Sequence, residues 1–261
     1  MLKRTPFVCA TMLLYACASL SQSHPLKSDK PSSTAAARNP LTAGERLSYD
    51  VSWADFIVAA ELTIETDPRR NFDGIDAYHV TATAKTVGLV SGLALKVNDV
   101  YDSYINPSTL QPFRAEKRSR HGKKQTQSSV ILDQAKRIAQ LPNGKTLELP
   151  DDTYDLAGLL FAIRGMDLTI GKSRTLTLIE DDKLYTIKVQ PEGKEKVTTR
   201  AGSYEAIRIG TSMVKGREND KLYNLKIFVT NDARRVPVLI TAEPSWGSVR
   251  VELTSINQPP K

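Results

Sequence analysis

The chain has 261 residues, of which 40% are hydrophobic and 25% charged, and its formal net charge is +7. Once a leader is set aside, that length holds one large domain or two small ones, and the apolar share suffices for a packed core. The basic excess suits anionic lipid headgroups or glycans, or plain solubility; with no aromatic-basic motif, no nucleic-acid partner is expected.

Residues 1–18 read as a secretory signal peptide: Lys3 and Arg4 give a positive start, and the run from Phe7 to Ala18 carries no charge. A spanning helix needs roughly 20 apolar residues, and neither this run nor any later one reaches that, which excludes a multi-span membrane protein. Two cleavages fit. Leu14-Tyr15-Ala16-Cys17 is similar to a lipobox, which makes Cys17 a lipidation candidate, although Tyr15 is unusual there. Ala16-Cys17-Ala18 is alternatively an A-x-A site that frees a soluble chain near Ser19. Residues 19–43 are rich in Ser, Ala, Pro and Lys and read as a flexible tether. The expected location is the periplasm, with outer-membrane anchoring and membrane contact only if Cys17 is lipidated. Cys9 and Cys17 both lie in the leader, so no disulfide, thiol catalysis or thiolate metal site is expected beyond it.

Residues 44–257 read as one β-rich domain. Leu47, Tyr49, Val51 and Trp53 alternate with Ser48, Asp50 and Ser52, and the pattern resumes with Val58, Ala60, Leu62 and Ile64. Side chains on a strand alternate with period two, so this is an antiparallel hairpin with one apolar face. Strand patterns follow at 77–85, 95–105, 113–120, 126–133, 137–141 and 145–149, the last two flanking the turn signal Asn143-Gly144. A helix is predicted over about 153–164, where Leu156, Leu159, Leu160 and Ile163 have helical spacing. Asp151 to Thr153 would cap it and Gly165 would end it. Strands then continue at 174–180, 183–190, 195–200, 204–211, 221–230, 238–243 and 248–256, with Asp181-Asp182 as a turn. The fold class is mainly all-β: a curved antiparallel sheet or barrel of many short strands, its two runs (44–150 and 166–257) divided by one amphipathic helix.

Several stretches together resemble a family of exported bacterial proteins called domain of unknown function 3108. They are GERLSYDVSW (44–53), VYDSYINPSTLQPFR (100–114), YDLAGLLFAIR (154–164), TRAGSYEAIRI (199–209) and FVTNDARRVPVLI (228–240), with Phe228 where that family often has Trp. The resemblance covers about 44–256 and implies an exported, mainly β envelope protein without an assigned activity. The final strand–Asp–Pro–strand arrangement is also distantly similar to periplasmic lipoprotein carriers, whose open β half-barrel shelters acyl chains.

Catalytic chemistry is not evident. His24, His79 and His121 have no zinc-ligand spacing, and there is no G-x-S-x-G elbow for a Ser-His-Asp triad. His79 falls on the polar side of its strand and His121 in a solvated turn. Asp151-Asp152 and Asp181-Asp182 read as a cap and a turn rather than as carboxylate pairs for glycoside hydrolysis. No catalytic residue, metal or cofactor is therefore nominated. Arg118, Arg120, Lys123 and Lys124, in one charged hairpin, are candidates for an anionic headgroup, or else guard an exposed edge. Tyr49, Trp53, Leu62 and Tyr78 share one apolar face and are candidates for lining a ligand cavity, or else are core. The leading expectation is a non-enzymatic envelope protein holding a hydrophobic or amphipathic ligand such as lipid in a β cavity. The alternative is an assembly module binding a protein or glycan, and a carboxylate hydrolase comes third.

Overall fold

The structure, a computed structural model, describes residues 39–54, 57–88, 96–215, 223–243 and 247–257. The expected signal peptide, Cys17, His24 and the expected tether up to residue 38 lie outside them. Strands β1 (Arg46–Trp53), β2 (Ile57–Thr66), β3 (Arg70–Phe72), β4 (Ile75–Thr86), β5 (Val97–Ile105), β6 (Pro112–His121), β7 (Lys124–Asp133), β8 (Ile138–Gln140), β9 (Thr146–Glu148) and β10 (Thr153–Tyr154) lead to the helix α1 (Leu156–Gly165). After it come β11 (Arg174–Glu180), β12 (Lys183–Thr199), β13 (Gly202–Lys215), β14 (Tyr223–Thr230), β15 (Pro237–Ala242) and β16 (Val249–Asn257).

All sixteen strands belong to one sheet, mainly antiparallel as the alternation requires. Its order runs β10 through β16, then β1, β2 and β4 through β9, with β3 paired to β4. The first strand thus pairs with the last, Tyr49 opposite Leu253 and Val51 opposite Val251, and this joins the two runs. The edge strands β9 and β10 are not hydrogen-bonded to each other, yet only residues 149–152 separate them in the chain. So short a link forces the sheet to curl until its edges are neighbours. Side chains fill the seam. Val130, Leu132, Leu149 and Ile179 form an apolar cluster there, and Lys117 of β6 reaches Glu180 of β11 at 3.1 Å. The Gln134 amide donates both to Pro112 O at 2.9 Å and to Thr153 O at 3.2 Å, tying β6 to β10.

Helix α1 lies inside the curl, touching β4 and β5 on one side and β10 and β11 on the other. Ala157 and Phe161 join the cluster built by Leu47, Tyr49, Val80 and Val251; Leu159, Ala162 and Ile163 join the one built by Leu178, Val189, Ile209 and Val229. Being enclosed, the helix buries more than the expected stripe, and even Arg164 is covered. Burying Phe161 alone contributes on the order of 2–3 kcal/mol.

Three local expectations are corrected. The cap of α1 is Asp155, whose Oδ1 accepts from Gly158 N at 2.8 Å, and not Asp151 to Thr153. Thr153 and Tyr154 are extended because they pair with Thr177 and Leu178 of β11, so the helix starts later. The segments 183–190 and 195–200 are one strand, β12, that passes through a bulge between Pro191 and Gly193. Proline has no N–H for the ladder and is accommodated at such a bulge. Beyond it the β12–β13 hairpin laps over the sheet: Ala201 N donates to Leu253 O at 3.2 Å and Arg200 N to Glu252 Oε1 at 2.8 Å. Ala206, Phe228 and Leu239, on the face opposite Ile207, Ile227 and Ile240, are consequently buried as well.

Candidate functional site

The inner face holds the four apolar candidates. The register sets Tyr49 beside Leu62, Leu62 beside Ala84 and Trp53 beside Val249, while Tyr78 follows Ala84, Ala82 and Val80 along β4. Tyr49 is 2% exposed, its hydroxyl donates to Pro237 O at 3.0 Å, and burial pushes its pKa far up. Leu62 and Tyr78 are half-buried and pack on the same cluster. Trp53 is half-buried over Gly247, where a Cβ would fall 2.6 Å from indole Nε1. The register therefore brings all four to one face, where Tyr49, Leu62 and Tyr78 pack with the cluster that α1 joins.

A small crevice of about 50 Å³ opens where that face meets the seam, lined in part by Tyr101, Lys117, Asp155 and Glu180 among apolar neighbours such as Val130 and Ile179. Lys117 sits 5.3 Å from the Tyr101 ring centre besides pairing with Glu180. Asp155 is buried, and burial raises its carboxyl to about 6 against the opposing hydrogen bond from Gly158 N. His121, expected in a solvated turn, ends β6 and places Nε2 2.9 Å from the buried Asp99.

The outer face of β5–β7 forms an open trough of about 620 Å³, lined by Asn98, Val100, Arg118, Arg120, Gln125 and Gln127 among others. Two of the four cation candidates, Arg118 and Arg120, thus line one concavity; Lys123 stands in the turn between β6 and β7, and Lys124 begins β7. Arg118 is 55% exposed and also reaches Asp102 at 2.5 Å. Asp102 leads to His79, whose Nε2 lies 2.8 Å away, while His79 Nδ1 lies 2.9 Å from Asp67. Asp102 raises the His79 pKa against the pull of burial, and Asp67 adds to it. For Asp102, burial acts upward but is outweighed by the hydrogen bonds from His79 and Thr81 and the charge of Arg118, so its carboxyl is held low. Further along, Tyr104 stacks on His79 at 4.8 Å, with Phe72 edge-on at 5.0 Å.

The sequence reading did not nominate Asp67, Asp102, Tyr104 or Phe72. Asp102 and Tyr104 alternate with buried Ser103 and Ile105, so their face was legible; their meeting with Asp67 and Phe72 required the β2–β3 connection to be placed.

The stretches quoted for the family resemblance also meet in space. Arg164 of α1 forms a buried fork with Glu45, at 2.8 and 3.0 Å, and donates to the Arg234 carbonyl at 3.2 Å. Arg235 returns a bond to the Arg164 carbonyl at 3.1 Å, in a turn closed by Asp232, which accepts from the backbone N–H of Arg234 and of Arg235 at 3.0 Å each.

No curated protein matches the chain. Among solved structures, a β-barrel-like protein of the domain of unknown function DUF1849 from Brucella abortus aligns with a TM-score of 0.59 at 12% identity, covering 86% of this chain and 100% of that one. It shows the shared β-barrel-like fold. A protein described as a candidate lipoprotein from Parabacteroides distasonis aligns at TM-score 0.38 and 9% identity, over 84% of this chain and 97% of that one. The family described as "Protein of unknown function (DUF3108)" matches residues 48–254. With the match spanning the sheet from β1 to β16, this chain belongs to the DUF3108 family.

Proposed function

We infer that this chain is an exported envelope module that binds its partner on the outer face of β4–β7 and not inside the curl. The observation that carries this reading is the pairing of a helix-filled interior with an open, cation-lined trough outside. An acyl chain entering beside Tyr49 would have to displace Phe161 or Leu47, both fully buried. Export rests on the leader, residues 1–18. Binding is favoured over catalysis because both His79 nitrogens are held by carboxylates, which leaves neither free to move a proton to a substrate.

Titration of the purified mature chain with a fluorescent long-chain fatty acid tests it. The expected result is no saturable uptake. Saturable uptake at one probe per chain, lost on enlarging Leu62 to Trp, would instead place the ligand in the interior.

A further inference from the structure

We propose that the partner on this outer face is an acidic carbohydrate chain, its charged units in the trough and its neutral ring faces on the aromatic group at the other end of the same strands. This rests on the outer-face reading and adds the chemical class.

The site is elongated. Asn98, Val100, Asp102 and Tyr104 follow one another on one face of β5, opposite Arg120, Arg118, Glu116 and Arg114 of β6. Six residues of strand separate Asn98 from Tyr104, about 20 Å. The two ends differ in charge. At the trough end Arg120, Lys123 and Lys124 are exposed and have no acidic partner among the described residues. At the aromatic end the exposed charges cancel: Arg114 with Asp73 at 3.5 Å, Arg70 with Asp67 at 3.1 Å, and Arg69 with Asp76. In the middle, Arg118 offsets Asp102, while the single charge of Arg114 is shared between Glu116 and Asp73. A ligand matching this strip is anionic over part of its length and neutral over the rest.

Side-chain chemistry narrows the class. Guanidinium forks match carboxylates in two parallel hydrogen bonds. Amide side chains donate and accept at once, as sugar hydroxyls require, and Asn98 and Gln127 supply two of them in the trough beside Gln125, whose oxygen accepts from Arg120. His79 stacks on Tyr104 at 4.8 Å, and Arg114 and Arg70 lie 5.3 and 5.5 Å over the Tyr104 and Phe72 rings, so this half-buried group, with Phe113 6.1 Å from Tyr104, offers ring edges and guanidinium planes to the C–H side of a sugar. An acidic peptide would more simply add a strand to a free edge, whereas this face lies mid-sheet. An anionic bilayer needs charge and insertable apolar groups and makes no use of a row of amides.

Calorimetry with an oligogalacturonate (a carboxylated glycan), polyglutamate and phosphatidylglycerol vesicles separates these classes. The oligogalacturonate is expected to bind best. Arg118→Gln with Arg120→Gln should weaken it at least tenfold at unchanged melting temperature, Phe72→Leu severalfold, and Lys136→Gln in the β7–β8 turn not at all. Should loss of the Asp102 partner unfold the first variant, Arg120→Gln with Lys123→Gln serves in its place, since neither residue is ion-paired among the described residues. No binding of the oligogalacturonate, equal binding by the variants, or preference for polyglutamate or vesicles overturns the proposal. Failure of the oligogalacturonate to bind, or preference for another class, leaves the outer-face reading intact, whereas interior uptake of the fatty-acid probe removes that reading.

Discussion

Arg164 and Glu45, 119 residues apart in sequence, meet in a two-bonded fork with side-chain exposures of 0% and 1%. The pair fastens the enclosed helix to the start of β1, and the Arg234–Arg235 turn closes over it. Charges withdrawn from water to this degree have no substitute for each other. Arg164→Met leaves Glu45 uncompensated and is expected to cost about 3–5 kcal/mol. Arg164→Met with Glu45→Leu should recover most of that loss, because two apolar groups carry no desolvation penalty. Urea denaturation of the two singles and the double closes the cycle; equal loss in single and double variants would mean the pair contributes through shape alone.

Asp155 caps α1 from a buried position, and burial raises its carboxyl to about 6. The folded-state value lies above the unfolded one, so the stability it confers is complete below about pH 4 and is lost as pH rises through 6. At pH 8 its ionisation costs roughly 3 kcal/mol by that linkage. Asp155→Asn keeps an acceptor for Gly158 N and is an equally good cap. The variant should be more stable than the native chain at pH 8 and no more stable at pH 4. An advantage independent of pH would show that Asp155 ionises without penalty.

His79 is held between Asp102 and Asp67, and its pKa is raised. Its contribution is therefore complete below the unfolded value near 6.5 and fades as pH rises through the higher folded value. Asp102 acts in the opposite sense: its carboxyl is held low, so its contribution is present above about pH 4 and lost as pH falls through the folded value. His79→Gln should be destabilised most between pH 5 and 6, with the gap to the native chain narrowing in alkali. Proton NMR of the imidazole ring checks the cause directly, and a midpoint below 6.5 would contradict it.

Gly158 lies where α1 presses on β6. A Cβ there would fall 2.7 Å from Asp155 Oδ1 and 3.2 Å from Pro112 Cδ. Alanine normally favours a helix over glycine by about 1 kcal/mol. Here Gly158→Ala should destabilise the fold by about 1–3 kcal/mol, because the cap or the proline must move. A raised melting temperature would show that the helix end yields freely.

What could be read from the sequence follows burial. Leu47, Tyr49 and Val51 alternate with polar neighbours because β1 buries one face, and the spacing of Leu156, Leu159 and Ile163 survives because α1 is a regular helix. Contacts that depend on the curl were out of reach. Nothing local pairs Glu45 with Arg164, and nothing at His121 announces Asp99 across the strand. Two boundaries were misplaced for opposite reasons: strand pairing to β11 overrode the Asp151–Asp152 cap signal, and a bulge carried β12 past Pro191. On the trough, the charge of Arg118 and Arg120 was visible, while the amides beside them gained meaning only from the register.

The most direct test of the account is native mass spectrometry of the chain purified from its own envelope without added lipid. A filled interior with its binding surface outside leads to a folded mass equal to the processed chain alone, after allowing for any acyl group on Cys17. A stoichiometric, non-covalent acyl-lipid adduct that survives transfer and departs only on unfolding would contradict it.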